Sequence, residues 1–272
     1  MKILFTVAVI LLSTISMFAQ SKPDIEQKGN KGKIYFYWGW NRGTFSNSDI
    51  NFSGADYDFT LRDVVANDRQ SPFEVKTYLN PLHATIPQYN FRIGYFISDN
   101  YDISFGIDHM KYIVKQDQTV MINGEIDNSG TVYDGEYSDD EIKLTEDFLQ
   151  FEHTDGLNYA NIGIRRFDEI YELYKIKLSI TEGLGVGILY PRTNTTLLNK
   201  ERYDEFHLAG YGIDAVVGVN LSFLKYFFIQ SEFKGGYINM SDIRTTNSES
   251  DNASQDFFFS QVMIVFGATV SI

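Results

Sequence analysis

Apolar and polar side chains alternate at every second position along much of the chain. From Lys33 to Trp40 (KIYFYWGW) the even-numbered positions are large and apolar, while the odd-numbered positions are Lys, Tyr or Gly. A period of two is typical of β-strands whose two faces meet different environments. The pattern therefore predicts eight strands. The other seven segments that show it cover residues 88–97, 101–109, 158–167, 175–190, 208–223, 227–237 and 256–272.

The connections between the predicted strands alternate in length. Short turns at one end and long loops at the other, with an even number of antiparallel strands, are typical of bacterial outer-membrane barrels. We therefore predict an all-β fold: an eight-stranded antiparallel transmembrane β-barrel with short periplasmic turns and four long extracellular loops. The predicted turns cover residues 98–100, 168–174 and 224–225, and the predicted loops cover 46–87, 115–156, 191–206 and 240–255.

The polar face of the predicted strands argues against a soluble barrel or β-sandwich. In a soluble protein the apolar face points inward and the outward face is polar. Here the face opposite the apolar one contains at least nine glycines and several charges. In the core of a soluble protein these residues would leave large voids and unpaired charges, whereas they suit the narrow lumen of a membrane barrel. We therefore predict that the apolar faces contact lipid, where closure of the barrel leaves no unpaired strand edge.

Eight charged residues share the parity of the predicted inner face, four of each sign. The interior of an eight-stranded barrel is only wide enough for its own side chains. Unpaired charges in so narrow a space are costly, so the balance of signs predicts a closed salt-bridge network and not a conducting pore. These residues are Arg92, Asp102, Asp108, Arg165, Lys177, Asp214, Glu232 and Lys234.

Glu182 breaks the pattern, because its parity places it on the lipid-facing side of a predicted strand. A charge near the middle of a lipid-facing strand costs on the order of a few kcal/mol. Two explanations are open: a bulge shifts the register near Glu182, or the residue lies close to a membrane interface.

The amino-terminal residues have the features of an export signal. One positive charge, Lys2, precedes an apolar run from Ile3 to Phe18 and the small residue Ala19. This arrangement predicts a signal peptide over residues 1–19. We divide the rest into a short periplasmic amino-terminal segment, 20–32, and the barrel, 33–272, and we expect the cell outer membrane as the location.

Charge and cysteine content exclude several classes of function. Without Lys2 the chain carries 22 basic side chains against 36 acidic ones, and it lacks the clustered Lys and Arg through which proteins bind nucleic acid. The sequence contains no cysteine, so disulfides and thiolate metal sites are absent. We predict no cofactor and no resident metal.

The segment 115–156 is strongly acidic, with nine carboxylates between Glu125 and Asp147. Clustered carboxylates attract hard cations such as calcium, yet the spacing does not match the helix-loop-helix calcium motif. We expect a solvated and partly mobile loop; the alternative is a weak divalent-ion site that bridges to anionic lipid headgroups.

Histidines at four positions are candidate bases: His83, His109, His153 and His207. In FEHTDGLNYAN, His153 is followed by Thr154 and Asp155. Some outer-membrane acyl hydrolases have a catalytic Ser two residues after the His, and here that position is Asp155. Nucleophilic catalysis needs a hydroxyl within reach of the base, so these three residues are catalytic candidates only under an enzymatic alternative.

In its alternating pattern over residues 33–272, the chain resembles the small outer-membrane barrels of the OmpA membrane domain and OmpX families. The resemblance implies a Gram-negative outer membrane, and the FAQ ending of the signal peptide is similar to those of Bacteroidetes. It differs at Ile272, where these families usually end in an aromatic residue.

Three functions follow as hypotheses. The first is a barrel with a structural or surface-binding role, the second a lipid-modifying enzyme (acyl hydrolase or acyltransferase) at the outer rim, and the third a narrow channel. The expected partners are outer-membrane lipid and lipopolysaccharide, with the barrel-assembly machinery during insertion; we expect a monomer.

Overall fold

The computed structural model of the chain describes residues 29–78 and 87–272. The predicted signal peptide, residues 20–28 of the predicted periplasmic segment and His83 lie outside the described residues. The described part contains one short helix, α1 (Val75–Tyr78), and no helix there has the length and apolar character needed to cross a membrane.

The rest of the described secondary structure is antiparallel β-structure, which confirms the all-β prediction. The strands are β1 (Lys33–Phe45), β2 (Ser48–Ser53), β3 (Tyr57–Val64), β4 (Ala66–Asn67), β5 (Tyr89–Phe96), β6 (Tyr101–His109), β7 (Tyr112–Val114), β8 (Thr119–Ile126), β9 (Gly135–Lys143), β10 (Leu149–His153), β11 (Tyr159–Leu173), β12 (Ile176–Leu189), β13 (Arg192–Leu197), β14 (Tyr203–Phe206), β15 (Gly210–Phe223), β16 (Phe227–Arg244) and β17 (Asn252–Ser271).

Eight of these strands pair in a cycle, which we call the ring. The order is β1, β5, β6, β11, β12, β15, β16 and β17, and β17 pairs in turn with β1, from Phe259 opposite Phe45 to Ser271 opposite Lys33. Each of the eight alternating segments of the sequence corresponds to one ring strand. Every backbone edge within the ring therefore has a neighbour.

The strands of the ring are tilted. Following directly paired residues from Ile34 around the ring leads back to β1 at Thr44, ten residues further along the strand. With a rise of about 3.3 Å per residue and strands about 4.8 Å apart, this stagger corresponds to a tilt of roughly 40°. Such a tilt lies within the range of closed barrels.

Two predicted connections are shorter in the structure. Residues 168–173, predicted as part of a turn, extend β11, which reaches Leu173 after a register shift between Glu169 and Tyr171. Likewise β16 and β17 extend toward each other and leave only 245–251 unpaired. In both places the strands continue past an irregularity that interrupts the alternating pattern.

The other nine strands form a second region, which we call the cap module. Strands β2, β3, β8 and β9 extend the ring sheet, since β2 pairs with β17 beyond the end of β1. Strands β14, β13, β10, β7 and β4 form a separate five-stranded sheet. The loop prediction was therefore wrong for much of 46–87, 115–156 and 191–206, which fold into strands.

The cap module has its own hydrophobic core, which continues into one end of the ring. Its strands alternate with apolar side chains inward, so each of the segments predicted to be loops has buried residues that hold it in place. Among the fully buried members are Ile50, Phe52, Leu61, Met110, Ile122, Leu144, Phe148, Leu149, Leu157, Ile238, Met240 and Ala253. The short connections lie at the opposite end of the ring.

Candidate functional site

Seven of the eight charged residues predicted to face inward are buried inside the ring. We call them the interior charge cluster. Their side chains come from five strands, and each lies on the face opposite the exposed apolar residues. The members are Arg92, Asp102, Asp108, Arg165, Asp214, Glu232 and Lys234.

One half of the cluster is centred on Glu232. The guanidinium of Arg165 forms an ion pair with this carboxylate across the interior. Glu232 also accepts hydrogen bonds from the hydroxyl of Tyr37, at 3.2 Å, and from Nε2 of Gln230, at 2.6 Å. The buried charge is thus both paired and hydrogen-bonded, as a desolvated carboxylate requires.

Tyr37 connects Glu232 to the second half of the cluster. Its hydroxyl accepts a hydrogen bond from Nε of Arg92 at 3.1 Å while it donates to Glu232. The remaining guanidinium nitrogens of Arg92 donate to Ser104 Oγ at 3.0 Å and to Asn161 Oδ1 at 2.6 Å. Neutral side chains therefore satisfy the hydrogen-bonding groups of a guanidinium that forms no ion pair within residues 29–78 and 87–272.

Asn161 continues the network to Asp108 and Lys234. Its amide donates to Asp108 Oδ2 at 3.3 Å, and the same carboxylate pairs with the ammonium group of Lys234. Lys234 Nζ also lies 3.9 Å from Asp214 Oδ1, and Asp214 accepts a hydrogen bond from the hydroxyl of Tyr159 at 2.9 Å. Six of the seven charges thus belong to one connected network.

Asp102 forms no ion pair with the other six charged residues within the described part of the chain. Its Oδ1 accepts a hydrogen bond from the hydroxyl of Tyr35 at 3.2 Å. Its Oδ2 has no hydrogen-bond partner among the described residues. The cluster contains three cationic and four acidic side chains, and Asp102 is the acidic residue without a cation in contact.

Lys177 was predicted to lie in the interior, but the structure places it elsewhere. Its ammonium pairs with Glu169 at 2.8 Å and with Glu172 at 3.4 Å, and its side chain is 42% exposed. The β11–β12 hairpin projects beyond the short-turn end of the ring. At that level the inward-facing side of β12 is in contact with solvent, so the side chain of Lys177 is exposed.

The pairing around Glu182 is regular, which excludes a bulge at this residue. It lies opposite Arg166 on β11 and Val217 on β15, and its carboxylate is 3.9 Å from Nη1 of Arg166. Arg166 also pairs with Asp168 at 2.8 Å. Glu182 therefore belongs to an exposed charged group on the short-turn side, as expected for a position near an interface.

The outer face of the ring is almost entirely apolar and exposed. It carries aliphatic and aromatic side chains on every strand, although a folded protein in water buries such residues preferentially. The exposed residues with large apolar side chains include Ile93, Ile103, Phe105, Ile162, Ile164, Leu184, Val186, Ile188, Tyr211, Ile213, Val217, Val219, Leu221, Ile229, Phe233, Phe258, Val262, Ile264 and Phe266.

His153, the candidate base, is completely buried in the cap module. Its Nδ1 is 3.1 Å from Thr193 Oγ1, and its ring packs against Tyr112 and Phe151. Nε2 has no hydrogen-bond partner among the described residues. Burial lowers the pKa of His153 to about 3, so the imidazole is neutral.

Thr154 and Asp155 are turned away from His153. The hydroxyl of Thr154 donates to Glu152 Oε1 at 3.0 Å, and Asp155 pairs with Arg192 at 2.8 Å. The structure thus does not bring the three enzymatic candidates together. The hydroxyl next to His153 belongs to Thr193, which is itself buried.

The other two described histidines have separate partners. His109 Nδ1 is 2.9 Å from Asn158 Oδ1, and its ring stacks on Tyr89. His207 Nε2 is 2.9 Å from Asp242 Oδ2.

The acidic segment folds largely into strands, which corrects the prediction of a loop over 115–156. Strands β8 and β9 pair along their length, and the carboxylates of β9 point to solvent. Within residues 29–78 and 87–272, no group of three His, Cys, Asp or Glu side chains is arranged to hold a metal ion.

The sequence reasoning missed the neutral members of the interior network. Tyr37, Asn161 and Tyr159 link the charges, and all three have inward parity on their strands. Their inward positions could have identified them in the sequence, because polar side chains on the same face as buried charges are expected to form hydrogen bonds with those charges.

Comparisons with known proteins give structural likeness only. No protein-family model and no curated protein matches the sequence. The chain is similar to the outer membrane protein OprG from Pseudomonas aeruginosa, with 10% identity and a TM-score of 0.43, over 90% of this chain and 98% of that chain. It is also similar to the outer membrane protein AlkL, with 10% identity and a TM-score of 0.39, over 93% and 97%.

Ail, the attachment invasion locus protein of Yersinia pestis, is a third similar structure. It has 10% identity and a TM-score of 0.35, over 88% of this chain and 99% of that chain. Identities and TM-scores this low carry no conclusion about activity.

Proposed function

We propose that the chain is an outer-membrane β-barrel of eight antiparallel strands with a structural or surface-binding role. The observation that carries the proposal is the polarity of the ring, in which Lys234 is fully buried while Ile213 on the outer face is 53% exposed. In water this arrangement would desolvate charges and expose apolar surface at once. In a bilayer it is favourable, because lipid covers the outer face and the paired ring leaves no backbone group unsatisfied.

The short connections face the periplasm in this proposal, and the cap module lies outside the cell. Two turns are at most a few residues long: Tyr174 and Lys175 between β11 and β12, and 224–226 between β15 and β16. The amino-terminal segment enters β1 at the same end, which fits a chain exported through the periplasm. Exposed aromatic residues lie at both borders of the apolar face, as at membrane interfaces: Tyr101 and Phe227 near the short connections, and Tyr190 and Phe258 toward the cap module.

The interior charge cluster supports a closed lumen. Side chains from opposite walls pair directly, as Arg165 does with Glu232. An open water-filled path would need these groups to separate. A narrow channel is the competing function, and planar-bilayer conductance distinguishes the two.

The geometry favours a non-enzymatic role. A lipid-modifying enzyme acting at the outer rim would need its base to reach substrate, whereas His153 is fully buried. The surface that the cap module offers instead is acidic, with the edge strand β9 carrying Glu136, Asp139, Asp140 and Glu141 on exposed positions. We propose that this surface faces outward from a monomer surrounded by outer-membrane lipid and lipopolysaccharide.

Folding into lipid vesicles followed by electrophoresis tests the barrel. We expect the unheated protein to migrate faster than the heated protein, and trypsin to leave the ring intact only when lipid is present. A protein that folds fully in buffer without lipid or detergent would contradict the proposal. Lipid profiles of envelopes with and without the protein, together with the His153→Ala variant, test the enzymatic alternative.

A further inference from the structure

The segment Ser71–Tyr78 lies against the outer face of the ring. The ring of Tyr78 is 5.5 Å from that of Trp40 on β1, and Trp40 lies 5.8 Å from Phe266 on β17. Trp40 and Phe266 belong to the apolar outer face. The segment therefore stands outside the ring, next to the surface that lipid covers.

Hydrogen bonds hold the conformation of this segment and tie the chain just before it to β1. The hydroxyl of Tyr78 donates to the carbonyl oxygen of Ser71 at 2.8 Å, and the backbone amide of Tyr78 donates to the carbonyl of Glu74 at 2.9 Å. Just before it, Asp68 accepts a hydrogen bond from the backbone amide of Gly43 at 2.9 Å. The chain is thus tied to β1 where it reaches the outer face.

Two apolar side chains of the segment project away from the protein. Phe73 is 77% exposed and Val75 is 62% exposed. The ring of Phe73 touches that of Tyr78, at 5.1 Å between centroids. Aromatic rings therefore form a continuous series from Phe266 through Trp40 and Tyr78 to Phe73.

The segment lies where the apolar face of β1 ends. The outward positions of β1 are apolar up to Trp40, and the next two are Arg42 and Thr44. On the neighbouring strand β17 the outward face stays apolar as far as Val262, which lies opposite Arg42, and beyond Ser260 it carries Phe258, which is 66% exposed. The apolar border is therefore lower along β1, and Ser71–Tyr78 fills that position.

We propose that Ser71–Tyr78 is an interfacial anchor that inserts Phe73 and Val75 into the outer leaflet of the membrane. Aromatic and aliphatic side chains are favourable at the boundary between headgroups and acyl chains. Lys76, exposed directly after Val75 in sequence, is placed to meet anionic headgroups. The occupant is lipid because the segment is continuous with the lipid-facing surface. The inference rests on the proposed function, since it requires that the ring span a membrane.

Fluorescence quenching by brominated lipids tests the anchor. The chain has two tryptophans, Trp38 and Trp40, and replacing both by Phe gives a dark background that keeps aromatic rings at both positions. Into this background we would introduce Phe73→Trp. Two further single-Trp variants serve as references: Phe266→Trp on the outer face of the ring and Val132→Trp, which is 90% exposed at the tip of the β8–β9 hairpin.

We expect bromines near the headgroup end of the acyl chains to quench Trp at position 73, to a degree between those of Phe266→Trp and Val132→Trp. Quenching of Phe266→Trp without quenching at position 73 would overturn the anchor and leave the barrel intact; burial of the segment against a second copy would give that result. No quenching of Phe266→Trp would overturn the proposed function itself. Val75→Trp provides the same measurement if Phe73→Trp does not fold.

Discussion

The ring and the cap module use the same antiparallel pairing with opposite chemistry on their faces. Strand β16 passes through both regions. Within the ring its inward residues include Glu232 and Lys234, while Phe233 is exposed outside. Beyond the ring its inward residues are Ile238 and Met240, both fully buried, and the outward position Asn239 is polar. Within a few residues, this strand thus changes from polar side chains inside and apolar ones outside to the reverse, which is the arrangement of a water-soluble protein.

The comparison shows that alternation identifies a strand but does not tell which face is buried. In the proposed membrane barrel the surrounding medium decides: lipid favours apolar side chains on the outer face of the ring, and water favours them on the inner face of the cap. The position at which the outward face of β16 changes from Tyr237 to Asn239 marks the border between the two media. Predictions that replace one side chain in each region can break or sharpen this interpretation.

The largest effect is expected inside the ring. Glu232→Ala leaves the guanidinium of Arg165 buried without its carboxylate. Breaking a buried pair from one side typically costs about 3–5 kcal/mol in the free energy of unfolding. Urea unfolding in lipid vesicles measures the loss.

The double variant Arg165→Met with Glu232→Leu is the control for that experiment, because it removes both charges and should recover much of the stability. A single variant as stable as the natural protein would show that the interior is hydrated, which contradicts a closed lumen.

The second largest effect is expected from a charge introduced on the outer face of the ring, and the same change on the cap module should have little effect on the free energy of unfolding. Val186 lies between Leu184 and Ile188 on the outer face of β12 and is 49% exposed. We expect Val186→Arg to cost about 2–4 kcal/mol in lipid, as for charges near the bilayer midplane. The matched Val132→Arg, on the cap module, should change the unfolding free energy by less than about 0.5 kcal/mol. Equal effects in vesicle unfolding experiments would mean that both valines face the same medium.

The sequence predicted the ring better than the cap for a physical reason. Within the ring the apolar residues of a strand stay on the same alternate positions. The strands and seven interior charges can therefore be predicted by counting positions along the sequence. In β16 the apolar positions change from odd to even between Phe233 and Ile238, and the predicted strand ended near that change. The cap strands are short and pair with distant partners, as β10 does with β13 and β7, and such pairing is not encoded in local alternation.

We expect the stability of the cap module to depend on pH because of His153. Burial lowers the pKa of this residue from 6.5 to about 3 in the folded protein, so below about pH 6.5 the unfolded state binds the extra proton. Its contribution to stability is therefore complete above that pH and is lost progressively as the pH falls toward 3. At about pH 5 the expected loss is on the order of 2 kcal/mol.

Protease sensitivity of the cap module between about pH 7 and pH 4 measures this dependence. His153→Phe keeps an aromatic ring against Tyr112 and Phe151 and should remove the part of the dependence that His153 causes. The ring should stay protected in both proteins over the same range. An identical pH profile for the two proteins would show that another group controls the acid response.

The smallest effect on the free energy of unfolding is expected at Lys177. Lys177 and Lys234 are the same residue type, but Lys177 is exposed whereas Lys234 is buried. Lys177 pairs with Glu169 and Glu172 at an exposed hairpin, and exposed pairs contribute roughly 0–1 kcal/mol and are screened by salt. Lys177→Gln should therefore change the unfolding free energy by at most about 1 kcal/mol. Lys234→Gln leaves Asp108 buried without its cation and should cost several times more. If the two substitutions proved equally costly in vesicle unfolding, the β11–β12 hairpin would have to lie in a dry environment, and the periplasmic end of the ring would need to be placed beyond it.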